Sequence, residues 1–171
     1  MPMPEILVPE ILVTEVRMAH AKEKPLFSAP ADYEDDFYAW TYEQAELLRL
    51  GRFDEADLPN IIEELETLGR SERSALVSSY RLILSHLLKW RYQPSYQSNS
   101  WRNTLRRERR QVAKKEEASP ALSAQADRLL IEAYDDARLE AADETDLPLG
   151  TFPLACPWTL DQIRDPDFLP E

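Results

Sequence analysis

Between residues 61 and 90 the side chains Ile61, Leu65, Leu68, Leu76, Tyr80, Ile83, Leu87 and Trp90 recur at steps of three, four or eight. That is the spacing of one helical face. From residue 76 to 90 the sequence LVSSYRLILSHLLKW is apolar on most sides, not on one stripe. A helix of that kind has no side it can leave in water, so several other elements must cover it. This predicts an all-α fold arranged around one central helix. Gly69 is a weak point in the pattern, and one continuous helix is expected across it. The helix should stop near Tyr92, because Pro94 disfavours helical backbone at Gln93.

The rest of the chain supplies the covering elements. Over residues 32–50 an apolar face of Phe37, Trp40, Ala45, Leu47 and Leu48 follows a run of acids at the end the helix dipole favours, and Gly51 is a normal stop. Asp57 reads as the N-cap of the central helix, with Pro59 just inside it. After the polar loop YQPSYQSNS, one of Ser98, Asn99 or Ser100 caps a third helix carrying WRNTLRRERRQVAKK. Ser119 and Pro120 read as N-cap and first residue of a fourth helix running to about Asp146. Beyond Pro148, prolines 153, 157, 166 and 170 interrupt the chain, and Thr159 with Gln162 forms one capping-box turn. The expectation is four main helices in a bundle-like arrangement with a proline-rich C-terminal strap. Residues 31–171 read as a single helical domain and residues 1–30 as a loose tail carrying a doubled PEILV. Met18 offers an alternative start.

Composition narrows the function classes. The 171 residues include one cysteine, Cys156, which allows no intrachain disulfide and no cysteine-rich zinc cage. Two histidines, His20 and His86, exclude three-histidine metal sites and paired Glu-x-x-His di-iron sites. No apolar run is long enough to span a membrane, and the lone thiol points to the cytoplasm. There is no glycine-rich phosphate loop, GxSxG or HExxH, so no cofactor is implied. Cys156 has no basic neighbour in sequence to activate it.

Charge is segregated along the chain. Residues 101–115 hold seven bases and one acid, residues 32–66 twelve acids and two bases, and residues 126–146 eight acids and two bases. The basic helix with Trp101 at its start makes Trp101, Arg102, Arg106, Arg107 and Arg110 candidate contacts for phosphate or an acidic partner. A net charge of −12 argues against nucleic acid at long range, and pairing with acidic neighbours is the simpler account. Two further places could carry chemistry. Glu63, Glu64 and Glu66 in IIEELE include a same-side pair able to contribute to a divalent metal or acid/base site, although such clusters are ordinarily a solvated face. His86 lies in the most apolar turn, where it is a satisfied core histidine or a base in a pocket.

Several sequence words also carry a resemblance. DFYAW at 36–40, LRLGRFDEADLPNIIEELETLGRSE at 48–72, HLLKW at 86–90 followed by QP, SW at 100–101, ETDLP at 144–148 and CPW at 156–158 occur in this order. The chain thereby resembles, over about residues 32–170, the bacterial family described as domain of unknown function 29, found in cyanobacteria and proteobacteria. The resemblance implies an all-helical bacterial cytosolic domain and supplies no activity, cofactor or catalytic residue. Within those words Glu63, His86, Lys89, Gln93, Ser100 and Arg109 are polar beside apolar neighbours, and some of them are expected to meet in one polar network. The functional expectation is a non-enzymatic interaction module with a protein partner. The alternatives are a metal-dependent or acid/base enzyme using helix-borne carboxylates, and a nucleic-acid binder using residues 101–115. Oligomeric state is open, and no membrane partner is expected.

Overall fold

The computed structural model describes residues 25–171. The expectations placed on the doubled PEILV and the rest of residues 1–24 lie outside the described residues. The described chain is all-α, with four main helices and no strand. None of these helices is long and apolar enough to cross a membrane. The chain divides into two compact units, with the boundary between Glu66 and Thr67.

The first unit contains α1 (Phe37–Arg49) and the start of α2 (Leu58–Tyr92). The acids at 32–36 were expected inside the first helix and instead precede it. Asp32 Oδ1 accepts the Glu34 N–H at 2.9 Å, closing a turn, and Asp36 caps α1 by accepting the Ala39 N–H at 3.0 Å. Short acidic side chains bond nearby backbone more readily than they continue a helix. Trp40, Gln44 and Leu47 are the buried residues of α1, spaced along one stripe. The helix ends in a Schellman arrangement: Gly51 N–H to Leu48 O at 3.1 Å and Arg52 N–H to Leu47 O at 2.9 Å. Gly51 has φ +69°, the left-handed conformation this turn requires. Asp57 then caps α2 through the Asn60 N–H at 3.4 Å and Nδ2 at 2.7 Å, while its own N–H donates to Gln44 Oε1 at 2.8 Å.

The helix α2 is continuous through Gly69, as expected. In the second unit it is covered by α3 (Asn99–Ala118), α5 (Ala126–Thr145) and the strap, with a short α4 (Pro120–Ser123) before α5 and α6 (Leu160–Arg164) within the strap. Leu76, Tyr80, Ile83, Leu84, Leu87 and Leu88 of α2 are fully buried. They pack in one core with Leu105 and Val112 of α3, Leu129, Ala133 and Ala137 of α5, and Phe152 and Ile163 of the strap. Each buried leucine contributes about 1.5–3 kcal/mol. Ser98 is the cap of α3, accepting the Trp101 N–H at 3.3 Å, and the Thr159–Gln162 capping box opens α6.

The single helix expected from Ser119 to Asp146 is broken. In an unbroken helix the Gln125 N–H would reach Ala121 O. Here it donates to Leu122 O at 2.9 Å, and the Gln125 side-chain amide takes the Ala121 carbonyl at 3.0 Å. A glutamine supplies from its side chain the donor that the break removes, so no proline or glycine is needed to stop α4.

The two glycines flanking α1 and inside α2 should respond oppositely to alanine. No atom lies within 4 Å of a Cβ added at either Gly51 or Gly69. Gly69→Ala replaces an exposed helix-interior glycine and should stabilise by about 0.8 kcal/mol. Gly51→Ala forces a side chain into left-handed backbone and should cost about 1 kcal/mol. Urea unfolding midpoints of the two variants check both signs.

Candidate functional site

His86 and Lys89 of α2 lie three apart on one side of the helix, and Gln93, four residues after Lys89, follows just beyond its end. Lys89 sits among core leucines and its side chain is 3% exposed, while that of its ion-pair partner, Glu144 of α5, is 48% exposed. The ammonium also lies 5.4 Å from the Trp101 ring centroid of α3. A reciprocal contact runs the other way, with the Arg102 guanidinium of α3 at 5.3 Å from the Trp90 ring centroid of α2. Each such cation–ring contact contributes on the order of 1 kcal/mol where water is excluded. One turn on, Gln93 Nε2 donates to Thr145 O at 2.9 Å, at the end of α5 where helical carbonyls lose their own donors. The Thr145 hydroxyl in turn donates to Ala141 O at 2.6 Å. The words HLLKW-x-x-QP, SW and ETDLP therefore meet in space.

His86 is half-buried beside this seam. Its Nδ1 is 2.9 Å from Leu82 O, and since a carbonyl only accepts, the proton is on Nδ1. Burial, followed by the neighbouring Lys89 charge, holds the imidazole below its ordinary pKa. A neutral ring with one nitrogen committed to the helix backbone is suited to packing at neutral pH.

Arg109 belongs to a different cluster. It is buried, and its Nε, Nη1 and Nη2 donate to the strap carbonyls of Ile163 (2.9 Å), Pro166 (3.2 Å) and Phe168 (2.9 Å). Burial lowers its pKa, yet an arginine stays charged throughout the physiological range. Sequence reasoning missed Arg138 of α5, which is buried and donates to Phe152 O at 3.2 Å. The available signal was its position four residues from Tyr134 on the apolar side of α5. Tyr134 itself donates to Pro153 O at 2.9 Å, and burial pushes its pKa up to about 12. Also missed was Glu116, which accepts from Tyr80 of α2 and, at 2.7 Å, from Arg164 of α6.

The remaining candidates of the second unit lie on or near the surface of α3. Ser100 is exposed in its first turn. Trp101 is half-buried against Lys89. Arg106 and Arg110 are exposed, and Arg107 pairs with Glu108 at 2.7 Å, whose other oxygen accepts from Ser79 at 3.1 Å. Cys156 is half-buried, donates to Trp158 O at 3.4 Å, and is pushed up in pKa by burial, which disfavours the thiolate.

In the first unit Glu63 is exposed, and Glu64 accepts the Tyr33 hydroxyl at 2.5 Å. That bond, ahead of burial, raises Tyr33 to about 12. Tyr33 also meets the Trp40 ring edge-on at 4.9 Å. A cleft of about 350 Å³ opens beside them, lined by Asp32, Tyr33, Glu34, Trp40, Glu55 and Asp57 among others. Among the described residues no group of three or more His, Cys, Asp or Glu is placed to hold a metal ion.

The model of one family, Domain of unknown function DUF29, matches residues 33–169. No curated protein and no solved structure matches the chain.

The Lys89–Glu144 pair should be asymmetric. Glu144→Ala leaves a buried ammonium without its counter-charge and should cost about 2 kcal/mol, less than the ~3–5 of a wholly buried pair because Glu144 is half in water. Lys89→Met keeps the packing, returns Glu144 to solvent and should lie within about 0.5 kcal/mol of wild type. Chemical denaturation of both variants checks the order. His86 gives a pH prediction. Its folded pKa is below the unfolded value of about 6.5. Between those values the unfolded chain binds a proton that the folded chain refuses, so stability rises with pH there and falls on acidification. Thermal unfolding from pH 7.5 to 5 should show a steeper loss in wild type than in His86→Gln; parallel curves would contradict the assignment.

Proposed function

The chain belongs to the Domain of unknown function DUF29 family, a family defined without a function, and we propose that it is a non-enzymatic protein-interaction module. The observation that carries the reading is a row on the first turns of α2. Leu58, Ile62 and Leu65 are at helical spacing and are 39%, 55% and 63% exposed. Apolar side chains in such a row are how one amphipathic helix engages another. Phe53, just before α2, is also exposed, as is the α1 pair Tyr38–Tyr42, whose rings are 4.9 Å apart.

The charge around this row selects the partner. Residues 25–66 contain twelve acids and two bases, for a net charge of −10. Both bases already pair within the unit, Arg49 with Glu46 and Arg52 with Glu55, each at 2.5 Å. The acidic cleft beside Tyr33 and Trp40 suits a lysine or arginine side chain, with carboxylates for its charge and rings for its stem. The partner is therefore a protein presenting an apolar helix face flanked by basic residues. The committed interior groups of the second unit, His86 on Leu82 O and Lys89 on Glu144, fit a structural role better than a catalytic one.

Proteins retained by the full chain from a cell lysate should be compared with those retained by Ile62→Asp/Leu65→Asp, whose fold is verified by circular dichroism. A partner with a basic-flanked apolar helix should bind wild type, weaken at least tenfold with the double variant, and weaken as salt is raised. Identical retention by both chains would overturn the reading. So would concentration-dependent self-association through the same row, seen by sedimentation.

A further inference from the structure

On the second unit, α3 and the strap form an open cleft of about 220 Å³ lined by Arg102, Leu105, Arg106, Arg109, Pro166, Asp167 and Leu169. Three guanidinium groups face one carboxylate in this lining. The geometry points to a binding site for a small oxyanion, a phosphate dianion either free or carried on a short organic stem. This site is separate from the apolar row of the first unit and does not rest on that reading.

The arginines are arranged for such a ligand. Arg102, Arg106 and Arg109 are four and three residues apart, so one rigid helix presents them in a column. Arg109 is immobilised by three strap carbonyls, which fixes its position at the base of the column, where Asp165 and Asp167 offset part of its charge. Arg102 is held over the Trp90 ring, and its buried Nε has no hydrogen-bond partner. No ion pair engages Arg102 or Arg106 among the described residues, whereas the next residue, Arg107, is paired with Glu108. Planar guanidinium forks match the oxygens of phosphate in a way a lysine column would not. Asp167 in the lining and Asp165 beside it both act on Arg109 and oppose an anion, but the three guanidinium groups outnumber the two carboxylates.

Size and charge set the ligand class. Sites for drug-sized molecules are about 300–1,000 Å³, so this cleft is below that range but roomy enough for a phosphate with a short organic stem. The chain's −12 is screened beyond about 8 Å at physiological salt. A small ion inside the cleft therefore senses mainly the arginines, whereas a nucleic acid would extend over acidic surface.

The test is thermal unfolding of the full chain in inorganic phosphate, in glycerol phosphate and in chloride at matched ionic strength, followed by calorimetric titration. At about ten times Kd, phosphate should raise Tm by ~3–6 °C over chloride. Arg106→Gln, at an exposed position, should at least halve that increment, and Arg102→Gln/Arg106→Gln should abolish it. Arg128→Gln on α5, outside the cleft, should keep it whole. A response to inorganic phosphate identifies the free ion as sufficient, and one confined to glycerol phosphate identifies a stem-bearing ligand. A Tm in chloride equal to that in both inorganic phosphate and glycerol phosphate would overturn the proposal, as would an increment unchanged in Arg106→Gln. An oligonucleotide that binds more tightly than phosphate at the same salt would replace it with a polyanion surface.

Discussion

The segment of α2 from residue 76 to 90 cannot leave any side in water, and the second unit is organised by covering it. The helices α3 and α5 and the strap each contribute side chains to the one core around it. Ser79 and Lys89, two of the polar residues buried within the segment, are satisfied by neighbours, whereas the buried Ser85 hydroxyl has no hydrogen-bond partner among the described residues. Ser79 reaches Glu108, and the Lys89 charge is placed at the margin of the core where Glu144 remains half in solvent. That placement limits the cost of burying a charge, because the counter-ion does not have to be dehydrated as well.

Covering the last side of the core falls to a segment that prolines keep from forming regular structure. An irregular chain packed on a core has carbonyls with no helical donors, and each would be costly to bury unsatisfied. Arg109 and Arg138 reach across from α3 and α5 to supply those donors, and Tyr134 adds one at Pro153. Arginine suits this role because one planar group serves two or three carbonyls at fixed angles. Positive charge is thus concentrated where α3 meets the strap. Among the described residues of the first unit both bases are paired and the remaining charge is negative. The two units consequently offer different chemistry to solvent: apolar rows among acids in one, an arginine column in the other.

Much of the fold was legible in the sequence because helix periodicity, caps and stops act within a few residues. Gly51, Asp57, Ser98 and the Thr159–Gln162 pair do what their local chemistry predicts. The two boundary errors arose where local interactions compete. Acids at 32–36 bond backbone instead of extending α1, and the Gln125 side chain replaces a helical hydrogen bond in a stretch with no breaker residue. The polar candidates were partly legible in the same sense. Lys89, Gln93 and Arg109 stand out as polar residues on apolar faces, but Glu144, Thr145 and Arg138 look like ordinary members of an acidic helix until their partners are known.

The sequence by itself determined the all-helical class, the central helix and the segregation of charge, since these follow from spacing and composition along a single chain. Tertiary structure alone decided which charges are structural and which are exposed for contact. Arg107 and Arg106 are adjacent and alike in sequence, yet one is paired with Glu108 and the other lines an open cleft. The difference arises because successive helical residues point about 100° apart. Arg107 thereby finds Glu108 beside it, while what Arg106 and Arg109 face is set by the strap about fifty residues away in sequence, whose carbonyls meet Arg109.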